Sequence, residues 1–264
     1  MRKAGKSRSA AKFIWTLNFC WIGFIIVCYL LLNIREEESG LTFKQLYFDE
    51  ELSKYYGEIP NSLLGLLKKN PEAKEFVLRY PEYHDLTPDR NLAAEIEEVA
   101  GIPLLLQWDE RWGYEQYGDD FIALNGCGPT CLSMVYCGLS KDDSWNPFEV
   151  AKMADEVGYY VNGTGSSWEL MESGAEKIGL TVHSVIFDSA HVKGELEEGR
   201  PIICAMRPGD FTTSGHFIVL AGIAEDGNVI VRDPNSIIRS EKTWQLEELM
   251  PQIKNLWSYS LIYF

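Results

Sequence analysis

The chain has 264 residues, 46% of them hydrophobic, and a formal net charge of −15. So acidic a balance argues against nucleic acid or anionic lipid headgroups as partners. Six cysteines, two of them inside an apolar stretch, are too sparse for a disulfide scaffold in a chain of this size.

Residues 1–12 carry Arg2, Lys3, Lys6, Arg8 and Lys12 and no acidic residue, and residues 13–34 are an uncharged apolar run rich in Trp, Phe, Ile and Leu. About 22 residues cross a bilayer core of roughly 30 Å as a helix. The run is longer than a signal-peptide core and leads through Leu32, Asn33 and Ile34 to Arg35 without a small-x-small cleavage site, which predicts an uncleaved anchor. Basic residues precede the run, and Glu36, Glu37 and Glu38 follow it. The positive-inside rule then keeps residues 1–12 cytoplasmic and places everything after residue 35 on the outer face of the cell membrane. The five basic residues bring +5 to the total of −15, so the exported remainder carries −20.

Residues 35–100 read as a helical stalk or lid, broken by prolines at 60, 71, 81 and 88. Asn61 is a candidate cap for one helix; Asn70, followed by Pro71, caps a second; residues 92–99 form a short third. No chemistry is visible there.

From residue 101 to 264 the pattern becomes mixed. Residues 102–107 are an apolar run ending in Gln107, and residues 108–121 are an aromatic, acidic loop with Trp112, Tyr114 and Tyr117. Helices are predicted over 127–139, stopped at Gly138; over 147–158; over 166–178, capped by Ser166 or Ser167; and over 191–198, ended by Gly199. Strand character marks 181–187, 201–206 and 215–223, and a hairpin signal at 225–228 leads into 229–234. A helix from 245 to about 256 and a strand over 259–264 close the domain. Helices followed by an antiparallel sheet make an α+β plan.

Cys127 stands at the start of the 127–139 helix, between Gly126 and Gly128 and ahead of Pro129. The first N–H groups of a helix lack intrahelical partners and carry partial positive charge, which favours a thiolate, the form that attacks carbonyls. The two glycines are expected to leave open space for a substrate backbone, and Pro129 suits a first helical turn. A buried cysteine before a Gly-Pro turn is the plainer alternative. Cys20 and Cys28 fall in the apolar stretch; one bridge among Cys131, Cys137 and Cys204 stays open. No metal site is expected: Cys131 and Cys137 are six residues apart, on different helix faces, and no cysteine pair has zinc-knuckle spacing. No organic cofactor is implied.

A thiol nucleophile needs a base and a group to orient that base. His191 lies in a charged helical segment and His183 in an alternating strand, whereas His216 opens a long apolar strand after Ser214 and Gly215. Asp233 ends the strand that pairs with the His216 strand across the Asp226–Gly227 hairpin, so a near-ideal register makes the two neighbours. A carboxylate there holds the imidazole tautomer and steadies its cation. A hydrogen-bonded strand-end histidine and a strand-terminating Asp-Pro turn are the ordinary alternatives. Gln107, with the Cys127 backbone N–H, is the candidate oxyanion donor.

The order Gln107, Cys127, His216, Asp233, with the cysteine heading a helix and the others on a later sheet, resembles the papain-like cysteine peptidases. More closely, the chain resembles the bacteriocin-processing, double-glycine peptidase-like family in its stand-alone bacterial form. The matching pieces are Ile102-Pro103 through Gln107, Trp108 to Trp112, Tyr117-Gly118, Gly126 to Thr130, Gly215 to Val219 and Asp233-Pro234. The resemblance implies Cys127 as nucleophile, His216 as general base, Asp233 as orienting acid and Gln107 as oxyanion donor. About twenty residues separate Gln107 from Cys127, more than papain-like enzymes commonly have. No Walker motif or multi-span region accompanies the domain, so cleavage after a double glycine is not implied.

The expectation is a membrane-anchored, extracytoplasmic thiol hydrolase acting on peptide or isopeptide bonds, with a peptide or protein as its substrate. A non-catalytic peptide-binding domain on the same shell, and an acyltransferase or cell-wall amidase using the same thiol, are the alternatives. The sequence leaves oligomeric state open.

Overall fold

The computed structural model describes residues 57–98 and 101–262. The apolar run 13–34 lies outside the described residues; among the described residues no helix is long and apolar enough to cross a membrane. The chain divides into two compact units, Met1–Gly57 and Glu58–Phe264, and every described element lies in the second.

Helix α1 (Asn61–Lys69) buries Leu63, Leu66 and Leu67, the one-face spacing of an amphipathic helix. Its cap is Pro60, not Asn61, and no side chain caps it. Asn70 accepts from the Glu72 N–H at the head of a 3₁₀ turn (Pro71–Ala73), where the missing proline N–H costs nothing. Helix α2 (Lys74–Tyr83) follows, then α3 (Ala93–Glu98). These helices belong to the same unit as the sheet: Leu92 and Ile96 are part of its main apolar core.

The aromatic loop closes in a short hairpin, β1 (Gln116–Tyr117) with β2 (Asp120–Phe121), and passes through α4 (Ile122–Asn125) into α5 (Cys127–Ser140). Gly138 does not stop α5. It sits inside the helix because a Cβ there would lie 2.5 Å from Ile102 Cδ1; the chain packs too closely for any side chain. The helix ends at Lys141, which takes the left-handed conformation itself, at φ 57°. Helix α6 (Pro147–Val157) has the predicted limits, with Asn146 capping Phe148 and Glu149 and a left-handed Gly158 after it. The single helix expected over 166–178 is broken. Ser166 is drawn into a hairpin, β3 (Tyr160–Val161) with β4 (Gly165–Ser166), and only a 3₁₀ turn (Trp168–Leu170) and α7 (Ser173–Lys177) remain helical.

Next come β5 (Leu180–His183), α8 (Ser189–Glu197, capped by Asp188), β6 (Ile202–Met206), β7 (His216–Ile223), β8 (Val229–Arg232), α9 (Ile237–Glu241), β9 (Thr243–Trp244), α10 (Leu246–Leu249) and β10 (Ile253–Leu261). The helix expected over 245–256 ends after one turn. Pro251 has no N–H to continue it, and the apolar run from Ile253 goes to the sheet instead. The sheet is antiparallel throughout, in the order β5-β10-β6-β7-β8-β9.

Alternate strand residues face two cores. Ile203, Ala205, Phe217, Val219, Trp257 and Tyr259 pack with Cys131, Leu132 and Val135 of α5. Ile202, Cys204, Met206, Ile218 and Leu220 pack with Val192 and Leu196 of α8 and with Trp244. Burial on both faces explains why β6 and β7 read as unbroken apolar runs. The result is the expected α+β architecture, with the cysteine helix laid on one sheet face.

Candidate active site

Gly126 is the N-cap of α5 and Cys127 its first residue, so the sulfur stands beside N–H groups that have no carbonyl one turn back. The flanking glycines do not leave open space as the sequence suggests. A Cβ on Gly126 would lie 2.5 Å from Ile122 Cγ2, and one on Gly128 would lie 2.6 Å from Ser166 Oγ and 2.8 Å from Ser166 Cβ. They permit close packing around the cysteine, not substrate approach. The Ser166 hydroxyl in turn hydrogen-bonds the buried Tyr117 hydroxyl at 2.8 Å. Gly128→Ala is therefore expected to destabilise the fold by about 1–3 kcal/mol and to displace Ser166, measured by urea unfolding of the variant against the parent.

All four described cysteines are free, which closes the question of a bridge among Cys131, Cys137 and Cys204. Cys127 is the one partly exposed; the other three are buried. Burial pushes the Cys137 thiol up to about 12 and raises Cys131 and Cys204 too, which keeps them protonated and unreactive.

His216 begins β7, opposite Met206 of β6. Its Nε2 lies 2.7 Å from Asp233 Oδ1, and the Cys127 sulfur is near enough to act on its charge. Burial by itself lowers the imidazole pKa. The Asp233 carboxylate and the Cys127 sulfur outweigh it and hold His216 well above its ordinary 6.5. The other candidate histidines have separate partners: His183 Nε2 meets Ser260 Oγ at 2.8 Å, and the exposed His191 meets Asp188 at 2.6 Å.

Asp233 is fully buried and fully paired. Oδ1 accepts from His216 and, at 2.8 Å, from the Asn235 N–H; Oδ2 accepts from Arg239 Nε at 2.5 Å. Burial alone raises a carboxyl, but His216 and Arg239 keep this one below its usual range. The hairpin register is not ideal, since an irregularity falls between Leu220 and Gly222. Val219 stands opposite Arg232, after which Asp233 leaves the strand, bridges to Ser236 and turns its carboxylate onto His216. Arg239 is the member of this network that sequence reasoning missed. The available signal was Ser236, which caps α9 by accepting from the Arg239 N–H and so fixes where that arginine stands.

Gln107 is buried. Its backbone N–H donates to Pro234 O at 2.7 Å, and its Nε2 donates to Ala123 O at 2.7 Å. Leu124 O lies 3.4 Å from the same nitrogen. Gln107 thus ties the turn after Asp233 to the turn that leads into Cys127. The long spacing between Gln107 and Cys127 is taken up by the aromatic loop, which folds back through Ile122 N–H to Glu115 O and Ala123 N–H to Gly113 O. Among the described residues no group of three or more His, Cys, Asp or Glu is placed to hold a metal ion.

The arrangement can pass a proton from a thiol to an imidazole braced by a buried carboxylate. A search of curated proteins finds no match to the chain. The model of the Peptidase_C39 like family matches residues 99–261, a range that contains Gln107, Cys127, His216 and Asp233. The chain belongs to that bacteriocin-processing, papain-like family and is a cysteine peptidase, a hydrolase.

Proposed function

We propose that the protein is a membrane-anchored, extracytoplasmic cysteine peptidase that hydrolyses peptide or isopeptide bonds through Cys127, His216 and Asp233. The observation that carries the catalytic part is the position of one imidazole between the partly exposed Cys127 thiol and the buried Asp233 carboxylate. The anchoring rests on the basic residues and apolar run of residues 1–34.

Nε2 of His216 is taken by Asp233, so Nδ1 is the nitrogen that serves the thiol. The sulfur proton moves to Nδ1 as Sγ bonds the scissile carbonyl carbon. Negative charge gathers on the carbonyl oxygen, where the Cys127 N–H acts as donor, joined by Gln107 Nε2 as it gives up its long bond to Leu124 O. Collapse breaks the C–N bond, and the imidazolium returns its proton to the leaving amine. Water then gives a proton to His216 and attacks the thioester; the acid product leaves and the thiol is restored. Asp233 keeps its charge throughout and fixes the ring.

The test uses membranes from cells expressing the full chain and a library of internally quenched peptides. Parent membranes are expected to cleave a subset, Cys127→Ala membranes none, and protease added outside intact cells is expected to remove the domain. Cleavage that persists in Cys127→Ala overturns the catalytic reading. A domain protected in intact cells, or washed from membranes by carbonate, overturns the anchoring. Amine acceptors that divert the acyl group from water would identify an acyltransferase instead.

A further inference from the structure

The turn that carries Asp233 and Arg239 is held from outside the family-matched region. Glu72, twenty-seven residues before that region begins, places both carboxylate oxygens on the segment just after Asp233. Its Oε1 accepts from Ser236 Oγ at 2.5 Å; its Oε2 accepts from the Ile237 N–H at 2.8 Å and the Ile238 N–H at 3.1 Å. Asn70, two residues earlier, donates from Nδ2 to Asn235 O at 2.7 Å and to Asn235 Oδ1 at 3.0 Å. Asn235 and Ser236 are the residues whose N–H groups bond Asp233 itself, to Oδ1 at 2.8 Å and to the main-chain oxygen at 3.1 Å.

The same helical region grips the Gln107–Cys127 loop at a second place. The Tyr114 hydroxyl donates to Phe76 O at 2.6 Å, the Phe76 and Tyr114 rings stack with centroids 4.2 Å apart, and Arg79 pairs with Glu110 at 2.8 Å. One short segment therefore spans the two chain pieces that must be aligned for catalysis.

We propose that residues 61–83 are a positioning element of the active site, in which Glu72 and Asn70 act as a clamp on the 233–239 turn and so set the Asp233 carboxylate against His216. Glu72 is a positioning residue: it touches no reacting atom, and it acts through Ser236 and, by the Ser236 cap, Arg239, while Asn70 acts through Asn235. The peptidase domain of this chain thereby begins functionally near residue 61, with its preceding helices fastened to the catalytic acid. Whatever displaces those helices also releases the acid.

This inference rests on the Cys127–His216–Asp233 reading, and the experiment separates the two. The full chain is assayed as parent, Glu72→Ala, Glu72→Gln and His216→Ala. Two rates are read per folded molecule: kcat on a library peptide that the parent cleaves, and alkylation of Cys127 by iodoacetamide from pH 5 to 9, with thermal melting alongside. The groups facing His216 are Asp233 and Cys127; those facing Asp233 are Arg239 and His216, with the buried Cys131 thiol nearby. Glu72→Ala is expected to lower kcat by about 10- to 100-fold with little change in KM, since small misplacements cost that much. Its alkylation profile is expected to move toward that of His216→Ala. Glu72→Gln, which keeps an acceptor for the Ile237 and Ile238 N–H groups, is expected to recover part of both rates. A Glu72→Ala chain that melts lower but keeps kcat and its alkylation profile has lost only structural support, and the clamp is then wrong. Equal alkylation of Cys127 in the parent and in His216→Ala overturns the catalytic reading instead.

Discussion

Replacing His216 with alanine is expected to lower kcat on a cleaved peptide by about 10³-fold or more, because nothing else at the site can take the Cys127 proton and return it to the amine. The reason is geometric. The imidazole is nearly enclosed, with 8% of its side chain exposed; its Nε2 is committed to Asp233, and the Cys127 sulfur is close enough to influence its charge. Neither His183 nor His191 can substitute, as each is held by its own partner. The variant should remain folded, since Asp233 keeps Arg239 and the Asn235 N–H. Circular dichroism and melting confirm that the loss is chemical. A His216→Ala chain that retains a tenth or more of parental kcat would remove His216 from the mechanism.

Asp233→Asn carries the second large effect, expected at about 10²- to 10⁴-fold in kcat, together with a changed pH dependence. In the parent, His216 is held above 6.5 and Asp233 below 3.8. The histidine share of stability is fully present below pH 6.5 and is lost as pH rises through the raised folded value. The aspartate share is present above pH 3.8 and is lost as pH falls through the lowered folded value. The stability gap between parent and Asp233→Asn is therefore expected to be widest between those two pH values and to narrow on either side. With the carboxylate charge gone, the imidazolium deprotonates earlier, so the alkaline limb of activity moves to lower pH. Urea titrations and kcat–pH profiles of both chains check this. An unmoved alkaline limb would show that Asp233 does not charge-stabilise the imidazole.

Much of this was legible wherever a local rule was decisive. The Asn146-Pro147 start and Gly158 stop delimit α6, the unbroken apolar runs mark β6 and β7, and Cys127 heads its helix as a Gly-Cys-Gly-Pro sequence suggests. Local rules failed where a distant residue decided the outcome. Gly138 reads as a helix stop, but it exists to admit Ile102. Gly126 and Gly128 read as room for substrate, but Ile122 and Ser166 fill that room. Residues 253–256 read as the end of a helix, but the sheet needs them between β5 and β6. Arg239 left only the indirect signal of the Ser236 cap and Glu72 left none, because their value lies in meeting a carboxylate and a turn that only the folded chain brings to them. The order of Gln107, Cys127, His216 and Asp233 was readable; the support beneath it was not.

The most direct measurement is competitive alkylation of the folded chain with limiting iodoacetamide at pH 7, followed by peptide mapping of Cys127, Cys131, Cys137 and Cys204. A partly exposed thiol beside an imidazole that can take its proton predicts modification at Cys127 at least about 10²-fold faster than at the three buried cysteines, with that advantage lost in His216→Ala. Similar rates at all four positions, or a Cys127 rate indifferent to His216, would contradict the account.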